Sequence, residues 1–154
     1  MPLRAPVAIL LGLLLCFAQS AARADGHASP ELPRELQVID RVVGQGKEVR
    51  PGVFVALHYT GYVYDPAAPE GKGRQFVSSR ERGETWSYKY GVTRAIPGFE
   101  KGLRGMRAGG SRTIVVPAKL GYDGRKYPTP NDVPPKSALV FDVELIDVVP
   151  ESAE

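Results

Sequence analysis

Few residues in this chain have the types and spacing that covalent or metal chemistry requires. Cys16 is the only cysteine, and it sits in an apolar run near the N-terminus. His27 and His58 form no HExxH or other paired spacing, so a His-based metal site lacks ligands. There is no GxSxG elbow. Ser78 and Ser79 are adjacent, which reads as turn capping rather than as a nucleophile. Gly44-Gln45-Gly46-Lys47 lacks the spacing of a phosphate loop and reads as a plain turn. Asp142 and Glu144 alternate with apolar neighbours and read as solvated strand charges, not as an acid/base pair. What remains is aromatic: Tyr59, Phe76, Trp86, Tyr88, Phe99, Tyr122, Tyr127 and Phe141, tied to loops and element edges. Each alone reads as core. Together they could line an apolar cup with a few polar rim groups, the usual form of a small-ligand or peptide site.

The elements that must position these rings are mostly strands. Leu36–Val43 is rich in β-branched residues and closes at Gly44-Gln45-Gly46. Val53–Tyr64 alternates over a long strand, with a bulge expected near Gly61. After a loop over 65–73, Arg74–Val77 and Thr85–Lys89 read as short strands flanking a charged turn, Arg80–Glu84. Residues 97–106 carry the best helical signal. Pro97 suits a first turn, and Phe99, Leu103 and Met106 share one face. Gly109-Gly110 should end that helix. Ser111–Val116 is a strand stopped by Pro117, and Ala138–Val148 alternates with Leu139, Phe141, Val143, Leu145 and, less perfectly, Val148 on one side. Residues 121–136, with Pro128, Pro130, Pro134 and Pro135, form a long irregular segment of the kind that often carries function. The expected fold is α+β, a curved antiparallel sheet of about five strands wrapped over one short helix.

Composition sets the context. A length of 154 residues suits one domain, and 43% apolar with 24% charged residues argues against wholesale disorder. Gly (17) and Pro (14) argue against a helical bundle. Residues 1–24 read as a secretory signal peptide. Arg4 gives the positive start, the apolar run Val7–Ala18 is too short to span a bilayer comfortably, and Ala22-Arg23-Ala24 fits the cleavage rule. Cleavage near Ala24 would remove Cys16, leaving no disulfide, and would leave no membrane attachment. The mature chain is expected to be exported and periplasmic, or secreted. Without Arg4 and Arg23, 18 basic residues face 17 acidic ones, so no nucleic-acid binding is expected. Residues 25–35 read as a flexible tail, 36–149 as the folded domain and 150–154 as a C-terminal tail.

Five segments, in order, carry a family likeness. Val55-Ala56-Leu57-His58-Tyr59-Thr60-Gly61 resembles the VxxHYTG strand of FKBP-type peptidyl-prolyl cis-trans isomerases. Phe76-Val77-Ser78-Ser79-Arg80 is similar to their FDSS segment, and Ala95–Leu103 to VIxGWExG. Leu120-Gly121-Tyr122 is similar to LAYG, and Val133–Leu145 to IPPxxxLxFxVEL. The likeness covers roughly residues 36–148. It implies isomerisation of Xaa-Pro bonds in exported proteins by an apolar aromatic pocket between helix and sheet. No covalent chemistry, cofactor or metal is implied. Proline-containing unfolded polypeptides are the implied partners.

Carried over position by position, the resemblance implies that Tyr59, Phe76, Ile96, Phe99, Tyr122 and Phe141 act on substrate. Val77, Arg82, Trp86, Ala95, Tyr127 and Val133 would complete the pocket wall and rim. The Ile96 N–H would bind a substrate carbonyl, and the Tyr122 hydroxyl another. Phe99 stands where the family usually has Trp. Val77 stands where it usually has Asp, which deprives Tyr59 and Arg82 of a carboxylate. That departure is expected to lower activity and to weaken macrolide ligands of the tacrolimus and rapamycin type. It also keeps open an alternative, a non-catalytic peptide-binding or chaperone domain of the same fold. The tail before Leu36 is too short for the helical dimerisation arm of some exported relatives, so a monomer is expected.

Overall fold

The computed structural model describes residues 31–92, 95–122, 129–130 and 132–151. Among the described residues six strands form one antiparallel sheet, in line with the expected sheet of about five: β1 (Gln37–Val42), β2 (Phe54–Tyr64), β3 (Lys72–Ser78), β4 (Trp86–Lys89), β5 (Ser111–Val116) and β6 (Leu139–Val149). Their order is β1-β5-β6-β2-β3, and β4 also pairs with β2. The spine is the pairing of β2 with β6, from Phe54↔Val149 to Val63↔Leu139. Leu139, Phe141, Val143 and Leu145 are buried on one side of β6. The register shifts where Ala56 meets Asp147 and Leu57 meets Leu145. Ile146 is the extra residue, and its insertion turns Val148 inward. That bulge is why Val148 fits the alternation imperfectly.

Among the described residues one α-helix, α1 (Pro97–Leu103), covers one face of the sheet. It contains Gly98 and Gly102, which lower its intrinsic helix propensity. Both are explained by packing. A Cβ at Gly98 would come within 2.3 Å of Val116 Cγ1, and one at Gly102 within 2.5 Å of Ile114 Cγ2. The helix backbone therefore rests directly on β5. Phe99, Leu103 and Met106 are all buried, as their spacing requires.

The helix ends at Leu103, not near 106. Arg104 leaves helical geometry and Gly105 follows at φ +72°. A residue outside the helix holds this end. Buried Arg112 of β5 donates from Nη1 to the carbonyls of Gly102 and Arg104, at 2.7 and 3.1 Å. Its Nε bonds Asp40 of β1 at 2.7 Å. A cation at a helix C-terminus satisfies the orphan carbonyls and complements the dipole. β1 is an edge strand, exposed along its length. The Arg112–Asp40 pair fastens it to the layer beneath.

Gly102→Ala is expected to lower stability by about 1–3 kcal/mol through overpacking against Ile114. Lys101→Ala, at an exposed site on the same helix, should be near neutral. Denaturant unfolding compares them. Equal midpoints would mean that the helix does not bear closely on β5.

Candidate functional site

Tyr59 sits at a gap in the sheet. On the side of β2 away from β6, β3 pairs with Thr60–Tyr64 and β4 with Phe54–Leu57. The charged turn between β3 and β4 fills the gap. The Ser79 N–H donates to the Tyr59 carbonyl at 2.9 Å, and the Tyr59 N–H donates to Ser79 Oγ at 2.9 Å. Ser79 is fully buried, and its Oγ also bonds His58 Nδ1 at 3.0 Å. Ser78 Oγ accepts the Glu81 N–H within the turn. Both serines thus hold backbone, and Ser79 fixes Tyr59.

A second device places Phe76. The β2–β3 register runs Gly61↔Val77 and then Tyr62↔Gln75, so the bulge lies in β3 at Phe76, opposite Gly61. A Cβ at Gly61 would lie 2.8 Å from Phe76 Cζ, 2.8 Å from Val77 Cγ1 and 2.9 Å from Phe141 Cε1. The missing side chain is the space those three fill. A lone glycine within a strand pattern is the signal that marks such a position.

The rings form a continuous cluster. Tyr122 meets Phe76 edge-on with centroids 6.3 Å apart, and Phe76 meets Phe141 at 5.9 Å. Phe141 meets Phe99 at 5.2 Å, and Phe99 meets Trp86 at 5.6 Å and Tyr59 at 5.8 Å. Tyr59 and Trp86 are 5.2 Å apart. Edge-on and tilted pairs suit the aromatic quadrupole. Phe99 and Phe141 are buried at the base, while Tyr59, Phe76, Trp86 and Tyr122 are half-buried around them. Ala95, Ile96 and Val133 are buried in the same apolar cluster. Val77 is half-buried beside Phe76. Arg82, exposed in the turn, donates from Nη2 to the Tyr59 hydroxyl at 3.3 Å. Tyr59 therefore has a partner without any carboxylate at position 77. Burial pushes the Tyr122 hydroxyl up to about 12, so it keeps its proton and can donate a hydrogen bond at neutral pH. Tyr127 lies outside the described residues.

The opposite face of the sheet is polar. A depression of about 290 Å³ there is lined by His58, Lys72, Arg80, Thr113, Asp142 and Glu144 among others. Its charges answer one another. Lys72 bonds Asp142 at 2.9 Å and Glu70 at 2.6 Å, Arg41 also reaches Glu70, and Arg80 pairs with Glu144. Among the described residues, no group of three or more His, Cys, Asp or Glu could hold a metal ion. Nor is any described helix long and apolar enough to cross a membrane.

Residues 45–146 match the family model described as FKBP-type peptidyl-prolyl cis-trans isomerase. The chain belongs to that family. FK506-binding protein 2 of Candida glabrata is 31% identical over 140 residues, covering 91% of this chain and 93% of that protein. The FK506-binding protein of Neisseria meningitidis serogroup A is 34% identical over 113 residues, covering 73% of this chain and 95% of the relative. The crystal structure of AtFKBP13 aligns with a TM-score of 0.59 and 32% identity, covering 77% of this chain and 96% of that one. The protein is an FKBP-type isomerase with the family's α+β fold.

Behind the aromatic cluster of this isomerase lies a group that sequence reading missed. Tyr88 stacks on Trp86 with centroids 4.3 Å apart. Its hydroxyl and Glu100 Oε1 are both sealed from solvent without a hydrogen bond. Glu100 Oε2 accepts the Gly91 N–H at 3.3 Å, and the Glu100 carbonyl accepts the Tyr90 hydroxyl at 2.7 Å. Burial raises the Glu100 carboxyl above its ordinary 4.5, and the bond from the Gly91 N–H opposes that shift. The Tyr88 hydroxyl is pushed up strongly by burial, and the nearby carboxylate adds to the shift.

A carboxyl that binds its proton more tightly in the folded state favours folding when protonated. Its contribution is full below the unfolded value near 4.5 and is lost as pH rises through the folded value. Glu100→Gln stays neutral and can keep the Gly91 bond. It is expected to raise Tm at pH 7.5, with the gain fading toward pH 4. A thermal-melt series in pH checks this, and a gain that grows on acidification would contradict it.

Proposed function

We propose that this isomerase turns Xaa-Pro bonds of exported proteins inside the aromatic cup built from Tyr59, Phe76, Trp86, Phe99, Tyr122 and Phe141. The unbroken chain of ring contacts is the observation that carries this reading. Rotation about the Xaa-Pro bond is slow because a planar amide must lose resonance, a barrier of about 18–20 kcal/mol. No bond breaks, so neither nucleophile nor metal is needed. The cup needs only to fit the twisted amide better than the planar one. A millionfold acceleration would take about 8 kcal/mol of that preference.

The proline ring would rest on Phe99 and Phe141 at the base, between the Tyr59–Trp86 side and the Phe76–Tyr122 side. Ile96 is the residue that caps α1. Its N–H is one of the donors that a helix start leaves without an intrahelical acceptor, and it would hold a substrate carbonyl. The Tyr122 hydroxyl would hold another, with Ala95, Val133 and Tyr127 closing the rim. Leader 1–24, tail 25–35, domain 36–149 and tail 150–154 complete the proposal, with a monomer acting in the periplasm or outside the cell. The clients are proline-containing unfolded polypeptides. Macrolides of the tacrolimus and rapamycin type would bind with reduced affinity, because Val77 offers no hydrogen-bond acceptor.

Relaxation of short Xaa-Pro peptides from cis to trans tests this directly. The protein should accelerate it, and Phe76→Ala should reduce kcat/KM at least about tenfold, the loss of about 1.4 kcal/mol of transition-state contact. Phe76 is only half-buried, so this variant should still fold, which near-UV circular dichroism checks. No acceleration by a folded protein would replace catalysis with peptide binding alone. Val77→Asp should raise both kcat/KM and macrolide affinity by about two- to tenfold, one added hydrogen bond's worth. No gain in either would remove the role given to Val77.

A further inference from the structure

We propose that Arg82 selects substrates with an acidic side chain immediately before or after the proline. This rests on the isomerase site proposed above. Arg82 is exposed in the turn between β3 and β4, and its guanidinium lies 5.7 Å from the centre of the Tyr59 ring, in the wall of the cup. The other basic side chains near that edge already have acidic partners. Arg74 bonds Asp132 at 3.3 Å, and Arg80 pairs with Glu144 on the opposite face. Among the described residues Arg82 has no ion pair, and its one hydrogen bond goes to the neutral Tyr59 hydroxyl. A guanidinium carries five donors and stays charged at any working pH, so most of its binding capacity remains.

The space for a ligand is beside it. A groove of about 320 Å³ runs along β3, lined by Gln75, Phe76, Val77, Ser78, Glu81 and Arg82. Phe76 belongs to both groove and cup, so a chain whose proline fills the cup leads into the groove. Val77 offers no charge there. Glu81 is the groove's one carboxylate, and its Oε1 is held by Gln75 Nε2 at 2.8 Å. Arg82 is thus the groove's one cation, without an ion pair among the described residues, where substrate leaves the cup. A carboxylate about 4 Å away in water-like surroundings gains about 1 kcal/mol, or about fivefold.

The test compares kcat/KM for tetrapeptides with Glu, Gln or Lys before the proline, and a second set varied after it. At one of these positions Glu should exceed Gln about fivefold, and Lys should fall below Gln. The gap should narrow in about 0.5 M salt. Arg82→Gln should bring the Glu/Gln ratio close to one, and Arg82→Lys should keep part of it. Val77→Asp, which sets a carboxylate into the groove lined by Arg82, should also lower the ratio. If one variant fails to fold, the other still decides the matter. Acceleration with equal ratios in the unmodified protein, or a Glu preference that survives Arg82→Gln, would overturn this proposal alone. No acceleration of any peptide would overturn the isomerase site beneath it.

Discussion

The backbone of α1 touches the side chains of β5, and the rest of the structure follows from that contact. Gly98 and Gly102 bring the helix onto Val116 and Ile114 with no room for a Cβ. Only at that depth does Phe99 come within ring-contact distance of Phe141, Trp86 and Tyr59 together. Bulkier residues at either glycine would lift the helix and draw Phe99 out of the cluster. Arg112 secures the same geometry from the other end by taking the last helix carbonyls. A short, glycine-bearing helix with poor intrinsic propensity is thus held by tertiary contacts.

The walls of the cup depend on equally local devices. Ser79 replaces the strand partner that Tyr59 lacks, supplying both a donor and an acceptor. Gly61 clears the space into which Phe76, Val77 and Phe141 converge. The polar groups around the cup are few and asymmetric. Arg82 bonds Tyr59 at the rim, while Glu100 lies half-buried behind Tyr88. An apolar residue at 77 separates the cup from any anion of its own. Charge on the opposite face is balanced by internal pairs, so the two faces of one sheet have different chemistry.

Much of this was legible in the sequence, for physical reasons. The alternation of β6 reported which side is buried, and even Val148 carried a trace of the bulge at Ile146. Phe99 and Leu103 gave the buried face of α1, and Met106 is buried just beyond its end. The end of α1 was not legible, because Arg112 of the following strand β5, outside the helix, holds its last carbonyls. The role of Ser79 was hidden in the same way: a turn serine looks alike whether it caps its own turn or completes a neighbouring strand. The Glu100–Tyr88 arrangement depends on how α1 meets β4, which periodicity does not encode. Six of the aromatic positions converge in one cluster, and each comes from a different element or loop. Sequence alone supplied their types, and only the sheet register supplied their neighbours.

The central claim is that isomerisation here proceeds by fit to a twisted amide in an apolar cup, with no proton in flight. The solvent deuterium isotope effect on kcat/KM for an Ala-Pro peptide tests it most directly. The account predicts a value indistinguishable from unity. A clear normal isotope effect would mean that a group such as Tyr122 transfers a proton in the rate-limiting step, and fit alone would no longer explain the catalysis.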